Sequence, residues 1–317
     1  MTLSRRKALT LIGGGTILAA GTAAGGFLTT RTPHKALAPW EAAGTYADPR
    51  KWALSYALLA PNAHNRQPWA IALEGEDTIT LWRDEERALP ETDPFHRQLT
   101  ISLGCFLELM VLAAAERGLG TELTLYPEGA EGPVAIAKLS GTATPDPLFA
   151  AALDRRSCKE PFEDRPIPPA IAQSLAAHAE IHTDPAMVDT LKALTWAAWL
   201  TEMRTDPALK ESVDLMRFGK AEINANPDGI DLGGPFLESL ILAGVLSREG
   251  QMDRESAGFQ QGVAIYEEML HATPAYASIT TPGNTRAEQI GAGRQWLRLN
   301  LATTLQGLAL HPVSQAL

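Results

Sequence analysis

Residues 98–118 read QLTISLGCFLELMVLAAAERG and decide the fold of this 317-residue chain. Apolar side chains recur there at helical spacing, at Leu99, Leu103, Phe106, Leu107, Met110 and Leu112. Gly118 and Gly120 follow the run and are typical of a helix end. We therefore expect one long helix that is largely buried.

The elements around this helix follow from shorter patterns. A helical pattern begins at Asp48 and stops at Pro61, because a proline is not accommodated within a helix. Residues 69–73 and 78–82 alternate apolar and polar side chains around the polar turn 74–77, which predicts a β-hairpin. Two further strands are predicted at 122–126 and 134–139. The first half thus reads helix, hairpin, helix, strand, strand.

The second half is predicted to be mainly helical. A stretch rich in Pro and small residues, 141–147, is the best candidate boundary. In the last helix Thr285 and Glu288 have the spacing of a capping box. The other helical patterns cover 147–154, 169–179, 185–204, 235–246 and 259–271. The first-half helix and the last helix end alike, in Glu-Arg-Gly-Leu and Leu-Gln-Gly-Leu, so two half-units are plausible.

Composition and charge bound the function. A chain with 45% hydrophobic and 20% charged residues can bury a full core. Residues 1–38 contain five basic and no acidic residues, so the rest has 27 minus 5, or 22, basic residues against 37 acidic ones. That balance argues against nucleic acid as a partner. Cys105 and Cys158 are too few for a disulfide framework, which leaves two isolated thiols or one disulfide.

The N-terminus resembles a twin-arginine (Tat) export signal. Arg5 and Arg6 precede an uncharged stretch, 10–30, and Ala36-Leu37-Ala38 has the small-x-small form of a cleavage site. The alternative is an uncleaved membrane anchor, because Arg31 and Lys35 flank the far end. Both alternatives imply a domain outside the cytoplasm, periplasmic or membrane-anchored, with the Tat machinery as a partner. Because Tat substrates are exported already folded, a cofactor inserted before export is expected.

Two loops carry the candidate chemistry, since GxSxG, Walker and GxGxxG motifs do not occur. Residues 60–69, APNAHNRQPW, place polar amides between prolines, which suits the edge of a flat heterocycle. Residues 154–162, DRRSCKEPF, offer three cations and a hydroxyl that suit a phosphate monoester, or else form a solvated face. Arg97 is a reserve cation, with a capping or surface role as its alternative. His178 and His182 are predicted to be solvated surface histidines rather than metal ligands.

Together the loops resemble the nitroreductase-like flavoprotein superfamily. Its Arg-x-Ser-x-Arg/Lys motif matches Arg155, Ser157 and Lys159. Its Pro-Ser-x-x-Asn-x-Gln-Pro-Trp segment matches residues 61–69, with Asn62 at the usual serine. A third match, 308–314, is similar to the segment that lies against the flavin ring. The resemblance implies FMN as cofactor, bound by Pro61, Asn62, Ala63, Asn65, Gln67, Arg155, Arg156, Ser157, Lys159, Pro312, Val313 and Ser314.

The order of the loops is reversed relative to ordinary members of the superfamily, in which the partner subunit supplies the Pro-Ser-x-x-Asn loop. The resemblance therefore implies an intramolecular pseudo-dimer with one FMN site in a monomeric chain. We expect an α+β, nitroreductase-like fold with a mixed β-sheet flanked by helices. Its parts would be the signal, 1–38, a first half, 39–145, and a second half, 146–317. Relatives usually continue past the segment matching 312–317, so the chain is expected to be short at its C-terminus.

Two functions follow from the resemblance. The first is an FMN oxidoreductase that passes a hydride or electrons through the flavin to a nitro-aromatic, quinone or similar small-molecule acceptor. No acid–base residue is required because the cofactor carries the chemistry, and none is nominated. The second is a protein that binds or sequesters FMN without turnover. Export favours this alternative, because reduced nicotinamides are cytoplasmic and the electron donor outside is unknown. We expect residues from Phe218 to Gly234 to form the roof of the pocket, although they show no recognisable pattern.

Overall fold

The computed structural model describes residues 26, 27 and 29–317, so residues 1–25 of the predicted export signal lie outside the described residues. The α-helices are α1 (His34–Ala42), α2 (Pro49–Ala57), α3 (Arg97–Glu116), α4 (Pro169–Leu175), α5 (Pro185–Arg204), α6 (Asp206–Asp214), α7 (Gly219–Ala225), α8 (Pro235–Leu242), α9 (Arg248–Met252), α10 (Ala257–His271) and α11 (Arg286–Leu305). The strands are β1 (Trp69–Glu74), β2 (Thr78–Arg83), β3 (Leu119–Leu125), β4 (Ala135–Thr142), β5 (Glu180–His182), β6 (Met216–Phe218), β7 (Ile230–Leu232) and β8 (Tyr276–Ser278).

The main sheet has four strands in the order β1-β2-β4-β3, and every neighbouring pair is antiparallel. The predicted hairpin and both predicted strands of the first half are confirmed. The expected mixed sheet is wrong, because short connections such as 75–77 join antiparallel neighbours, whereas a parallel pair needs a long crossover. A parallel pair does occur, β6 with β7, but it is separate from the main sheet. The fold class is nevertheless α+β, as expected.

Helix α3 is the centre of the core. Fifteen of its twenty residues are buried, and Phe106 and Met110 are fully enclosed. Its first amides are satisfied by Asp93, whose carboxylate accepts hydrogen bonds from Arg97 N at 2.8 Å and Leu99 N at 2.9 Å. Helix α3 is long and apolar enough to cross a membrane, but 83% of that apolar window is buried inside the protein. It is therefore a core helix, as its periodicity predicted.

Helices α3 and α11 pack against each other at backbone contact distance. A Cβ on Gly104 would lie 2.2 Å from Ile290 O, and one on Gly293 would lie 1.9 Å from Ile101 O. Only glycine fits at either position, because a Cβ does not approach a carbonyl oxygen so closely. Further along the chain in both helices, Arg298 Nη1 contacts Glu108 at 2.6 Å. Contacts later in α3 are made with residues later in α11, so the two helices run in the same direction.

A buried carboxylate links the same helices. Glu108 is 3% exposed, and it accepts from Arg294 Nε and from Arg298 Nη1, both at 2.6 Å. Arg298 also pairs with Asp146, which precedes the 3₁₀ turn Pro147–Ala151. A buried charge is tolerated only when it is paired, so these arginines fix α11 against α3 and against the start of the second half.

The second half follows its sequence pattern in part. Thr285 and Glu288 form the capping box that their spacing predicted, and helices lie within the predicted ranges 169–179, 185–204 and 235–246. The range 147–154 forms a 3₁₀ turn instead of an α-helix. Helices α6, α7 and α9 have no counterpart in the sequence prediction, since each has nine residues or fewer and offers few apolar positions from which to recognise a period. The division at 145 into two halves of a pseudo-dimer stays a prediction.

We predict that Gly104→Ala lowers the free energy of unfolding by about 3 kcal/mol or more, because the new methyl group overpacks the contact with α11. Urea unfolding measures the effect. Gly291→Ala is the matched control: a Cβ there meets nothing within 4 Å, and alanine should stabilise the helix by about 0.5–1 kcal/mol. Equal unfolding free energies for the two variants would contradict the close packing.

Candidate functional site

A cavity of about 960 Å³ lies along one side of the α3–α11 pair. Its wall includes Gln98, Ser102 and Cys105 from α3, and Ala292 and Trp296 from α11. Further residues of the wall come from segments 61–64, 157–168, 273–281 and 306–317 and from α4, α5, α10 and β5, although not every residue of these segments contributes. Cavities of this volume are in the range of cofactor and ligand sites. The cavity is thus assembled from segments that are far apart in the sequence.

The first predicted loop enters the cavity with Pro61, Asn62 and Ala63. Its backbone is strained beyond Ala63, since His64 (φ +47°), Asn65 (φ +50°) and Gln67 (φ +51°) take left-handed conformations. Asn62 Oδ1 accepts from Gln67 N at 2.7 Å. Such strain persists only where the surroundings enforce it, and it is typical of functional loops.

Asn65 and Gln67 are turned toward a different part of the molecule. Gln67 Nε2 donates to Pro227 O at 2.7 Å, and Asn65 O accepts from Gly229 N at 3.1 Å. Neither residue is part of the cavity wall. Segment 227–229 therefore braces the loop from outside, and an FMN contact of Asn65 and Gln67 stays a prediction.

The cations of the second predicted loop are spread apart. Arg155 is 5% exposed, and its Nη1 and Nη2 donate to Asn300 Oδ1 at 3.1 Å and Leu59 O at 3.0 Å. Arg156 lies over the Trp40 ring and donates to Leu153 O. Lys159 is exposed, and of this loop's predicted ligands only Ser157 lines the cavity. A phosphate contact of Arg155 stays a prediction that requires these bonds to open.

Burial of Arg155 affects its chemistry without neutralising it. Burial lowers the pKa of Arg155 to about 10, so the guanidinium remains charged at neutral pH. Its Nε has no hydrogen-bond partner among residues 26, 27 and 29–317. This arginine joins the second loop to the start of the first loop, because Leu59 directly precedes residues 60–69.

The C-terminal segment closes the cavity over the second loop. Cys158 N donates to Leu310 O at 2.9 Å, and His311 Nδ1 lies 2.5 Å from Cys158 O. Because a carbonyl oxygen only accepts, Nδ1 is the donor. Burial lowers the pKa of His311, so neutral imidazole is favoured. These bonds hold Pro312, Val313 and Ser314 in the same cavity wall as Pro61 and Ser157.

Arg97 is the cation of the wall that the protein leaves uncommitted. Its backbone N caps α3 through Asp93, but its guanidinium has no hydrogen bond or ion pair within the part of the chain described here. Arg165, the other arginine of the wall, pairs with Glu163 at 2.9 Å and is largely exposed. Arg97, which the sequence offered only as a reserve cation, is therefore the cation of the wall best placed for an anionic ligand.

The part of the cavity wall formed by β5 and β8 was not predicted from the sequence. His182 was expected at the solvated surface, but only 14% of its side chain is exposed, and its Nε2 lies 2.8 Å from Ser278 Oγ. The pairing of β5 with β8 brings these residues together, and three-residue strands leave almost no periodic signal. The residues expected between 218 and 234 as a roof are not in this wall.

Burial shifts the pKa of three groups in the cavity wall, Cys105, His64 and His311, toward the neutral form. Cys105 and Cys158 are free thiols, as the first alternative predicted, and burial raises the pKa of Cys105 to about 12. Burial lowers the pKa of His64, which favours neutral imidazole. A thiolate or an imidazolium is thus disfavoured at these two positions. Among the described residues no group of three His, Cys, Asp or Glu could hold a metal ion.

We predict that Arg155→Leu lowers the free energy of unfolding by about 2–4 kcal/mol, because Leu59 O and Asn300 Oδ1 lose a charged donor. Arg156→Leu is the neighbouring control and should change it by less than about 1 kcal/mol, the scale of an exposed cation–π contact. Urea unfolding without added ligand measures the free energy of unfolding of both variants. If the two variants unfold alike, Arg155 has no structural role.

No family model matches this chain. A Mycobacterium tuberculosis protein named "Putative NAD(P)H nitroreductase" is 24% identical over 275 residues, which cover 83% of this chain and 75% of that protein. An "Uncharacterized protein" of the same organism is 25% identical over 278 residues, 82% and 76% of the two chains. A further "Putative NAD(P)H nitroreductase", named acg, is 32% identical over 77 residues, 24% and 23%.

The fold and these matches agree. The mixture of helices with a small antiparallel sheet is compatible with a nitroreductase-like fold. The distant homologues that carry the nitroreductase name support a nitroreductase-like family for this chain.

Proposed function

We propose that this protein is an exported, FMN-binding oxidoreductase of the nitroreductase type, which delivers reducing equivalents to a nitro-aromatic, quinone or similar acceptor. One observation carries the proposal. Three segments that the family resemblance assigns to flavin contribute to a single cavity wall: Pro61–Ala63, Ser157 and Pro312–Ser314. These segments are separated by about 95 and 155 residues in the chain, and the nitroreductase names of distant relatives point the same way.

The residues of the wall fit FMN. The apolar surfaces of Pro61, Trp296 and Pro312 suit a flat ring, and the cavity volume is sufficient. Ser157 and Ser314 have hydroxyl groups with no side-chain hydrogen bond within the described residues, and Gln98 Oε1 is also unpaired. The uncommitted guanidinium of Arg97 supplies the positive charge that a phosphate monoester requires.

In this proposal the bound flavin supplies the hydride or electron chemistry. The chain's own residues bind and orient it. Pro61 and Ala63 line the wall next to loop residues whose backbone takes left-handed conformations. The hydrogen bonds between Cys158 and the C-terminal segment hold Pro312–Ser314 over the cavity, which limits access of water to the site.

We also propose that the chain is a monomeric pseudo-dimer, exported by the Tat pathway, with one site per chain. Support comes from α3 and α11, which both contribute side chains to the cavity wall and belong to different predicted halves. The reversed loop order supports the same arrangement, because one chain then supplies both loops of the site.

The visible spectrum of the purified protein, taken before and after anaerobic addition of NADPH or dithionite, tests this function. A yellow protein with a flavin spectrum is expected, and a nitro-aromatic or quinone should reoxidise the dithionite-reduced form within seconds to minutes. Reduced protein that resists both acceptors would instead support FMN sequestration without turnover. A colourless protein that does not take up added FMN would contradict both functions.

We predict that Arg97→Ala raises the Kd for FMN at least tenfold, which corresponds to about 1.4 kcal/mol for a charge-assisted phosphate contact. Fluorescence quenching of added FMN measures it. The matched control is Arg165→Ala, which also removes a cavity arginine but one that already pairs with Glu163, and it should leave the Kd within about twofold. Unchanged affinity in Arg97→Ala with a tenfold loss in Lys159→Ala would move the phosphate to the second loop.

A further inference from the structure

Residues at the end of the predicted export signal are folded against the domain. Arg31 Nη1 forms an ion pair with Glu238 Oε2 at 3.0 Å, and Lys220 Nζ donates to Thr30 O at 2.8 Å. Glu238 is 7% exposed, and its second oxygen accepts from Lys220 N. Because a buried carboxylate needs a paired cation, loss of Arg31 would leave Glu238 uncompensated.

The small-x-small motif of the signal lies inside a docked helix. Ala36-Leu37-Ala38 falls within α1. Asn224 Oδ1, from α7, accepts from Lys35 N at 3.0 Å and from Ala36 N at 3.3 Å. The N-cap residue of α1, Pro33, makes no side-chain cap hydrogen bond, so Asn224 caps this helix from another part of the fold.

The peptide bond after Ala38 does not have the conformation that a peptidase requires. Proteases bind their substrates as extended strands, and this bond lies in a helix. Residue 39 is proline, whose backbone nitrogen has no hydrogen to donate. To become extended, α1 would have to unwind and give up the Asn224 contacts. A chain that folds before export would meet the peptidase with these contacts already made.

We propose that the export signal is not removed at Ala38 and that residues 29–42 connect the folded domain to a membrane anchor. The partner is the lipid bilayer. The uncharged sequence that precedes the connection, residues 10–28, has 28 minus 9, or 19, residues, which is within the range of about 17–25 residues that span a bilayer. This inference rests on the proposed export and adds where the exported protein resides.

The first test uses the full chain with a C-terminal tag, produced in a bacterium with a Tat pathway. Membrane and soluble fractions are separated, the intact mass is measured, and protease is added to spheroplasts. The expected result is a membrane-bound chain that retains residues 1–38 and whose tag is digested. A soluble chain that begins at Pro39 overturns the proposal. A tag that stays protected, as in an Arg5→Lys/Arg6→Lys control, contradicts export and the inference with it.

A second measurement reads the docking of α1 without depending on export. In the detergent-solubilised full chain, hydrogen exchange of the Lys35 amide should be slow and should accelerate at least tenfold in Asn224→Ala. The Ala36 amide also donates to Pro33 O at 3.0 Å, so its exchange should change less. The matched control is Asn226→Ala, an exposed asparagine two residues away, and it should leave both amides protected. Equally fast exchange in wild type and in Asn224→Ala overturns the proposal.

Discussion

The close approach of α3 and α11 at Gly104 and Gly293 is the constraint on which the rest of the structure depends. It sets the helices side by side and in the same direction, so that both begin at the same end of the cavity. Arg97 opens one helix there, and Gln289 near the start of the other also reaches the wall. A methyl group at either glycine would push the helices apart and change the shape of the groove between them.

Charged groups divide into those that build the fold and those left available to a ligand. Glu108 and Arg155 are buried and fully engaged with protein partners at their charged oxygens and terminal nitrogens. Removing such groups from water is costly, so their bonds define how the two predicted halves meet. Among the residues that the structure describes, Arg97 has no such partner. The proposed anion site therefore rests on an arginine without a protein partner among the described residues. It does not rest on the number of cations in a stretch of sequence.

The sequence alone predicts the parts governed by local periodicity and leaves out those decided by tertiary contacts. Helix α3, the hairpin and the capping box of Thr285 follow from spacing, whereas the three segments that meet in the cavity wall follow from the resemblance to the nitroreductase-like superfamily. The inward turn of Arg155 could not be predicted, because its acceptors, Leu59 O and Asn300, are distant in the chain. The place of His182 in the cavity depends on the β5–β8 pairing, which three-residue strands do not signal. The mixed sheet was carried over from the resemblance and is corrected by the pairing of β2 with β4.

The central claim is that the cavity beside α3 and α11 holds FMN with groups from both halves of the chain. A crystal structure of the protein grown with saturating FMN tests this claim most directly. We expect the flavin ring between Pro61–Ala63 and Pro312–Ser314, with the phosphate within hydrogen-bonding distance of Arg97. Flavin density elsewhere on the protein, or a cavity that stays empty of flavin at saturation, would contradict it.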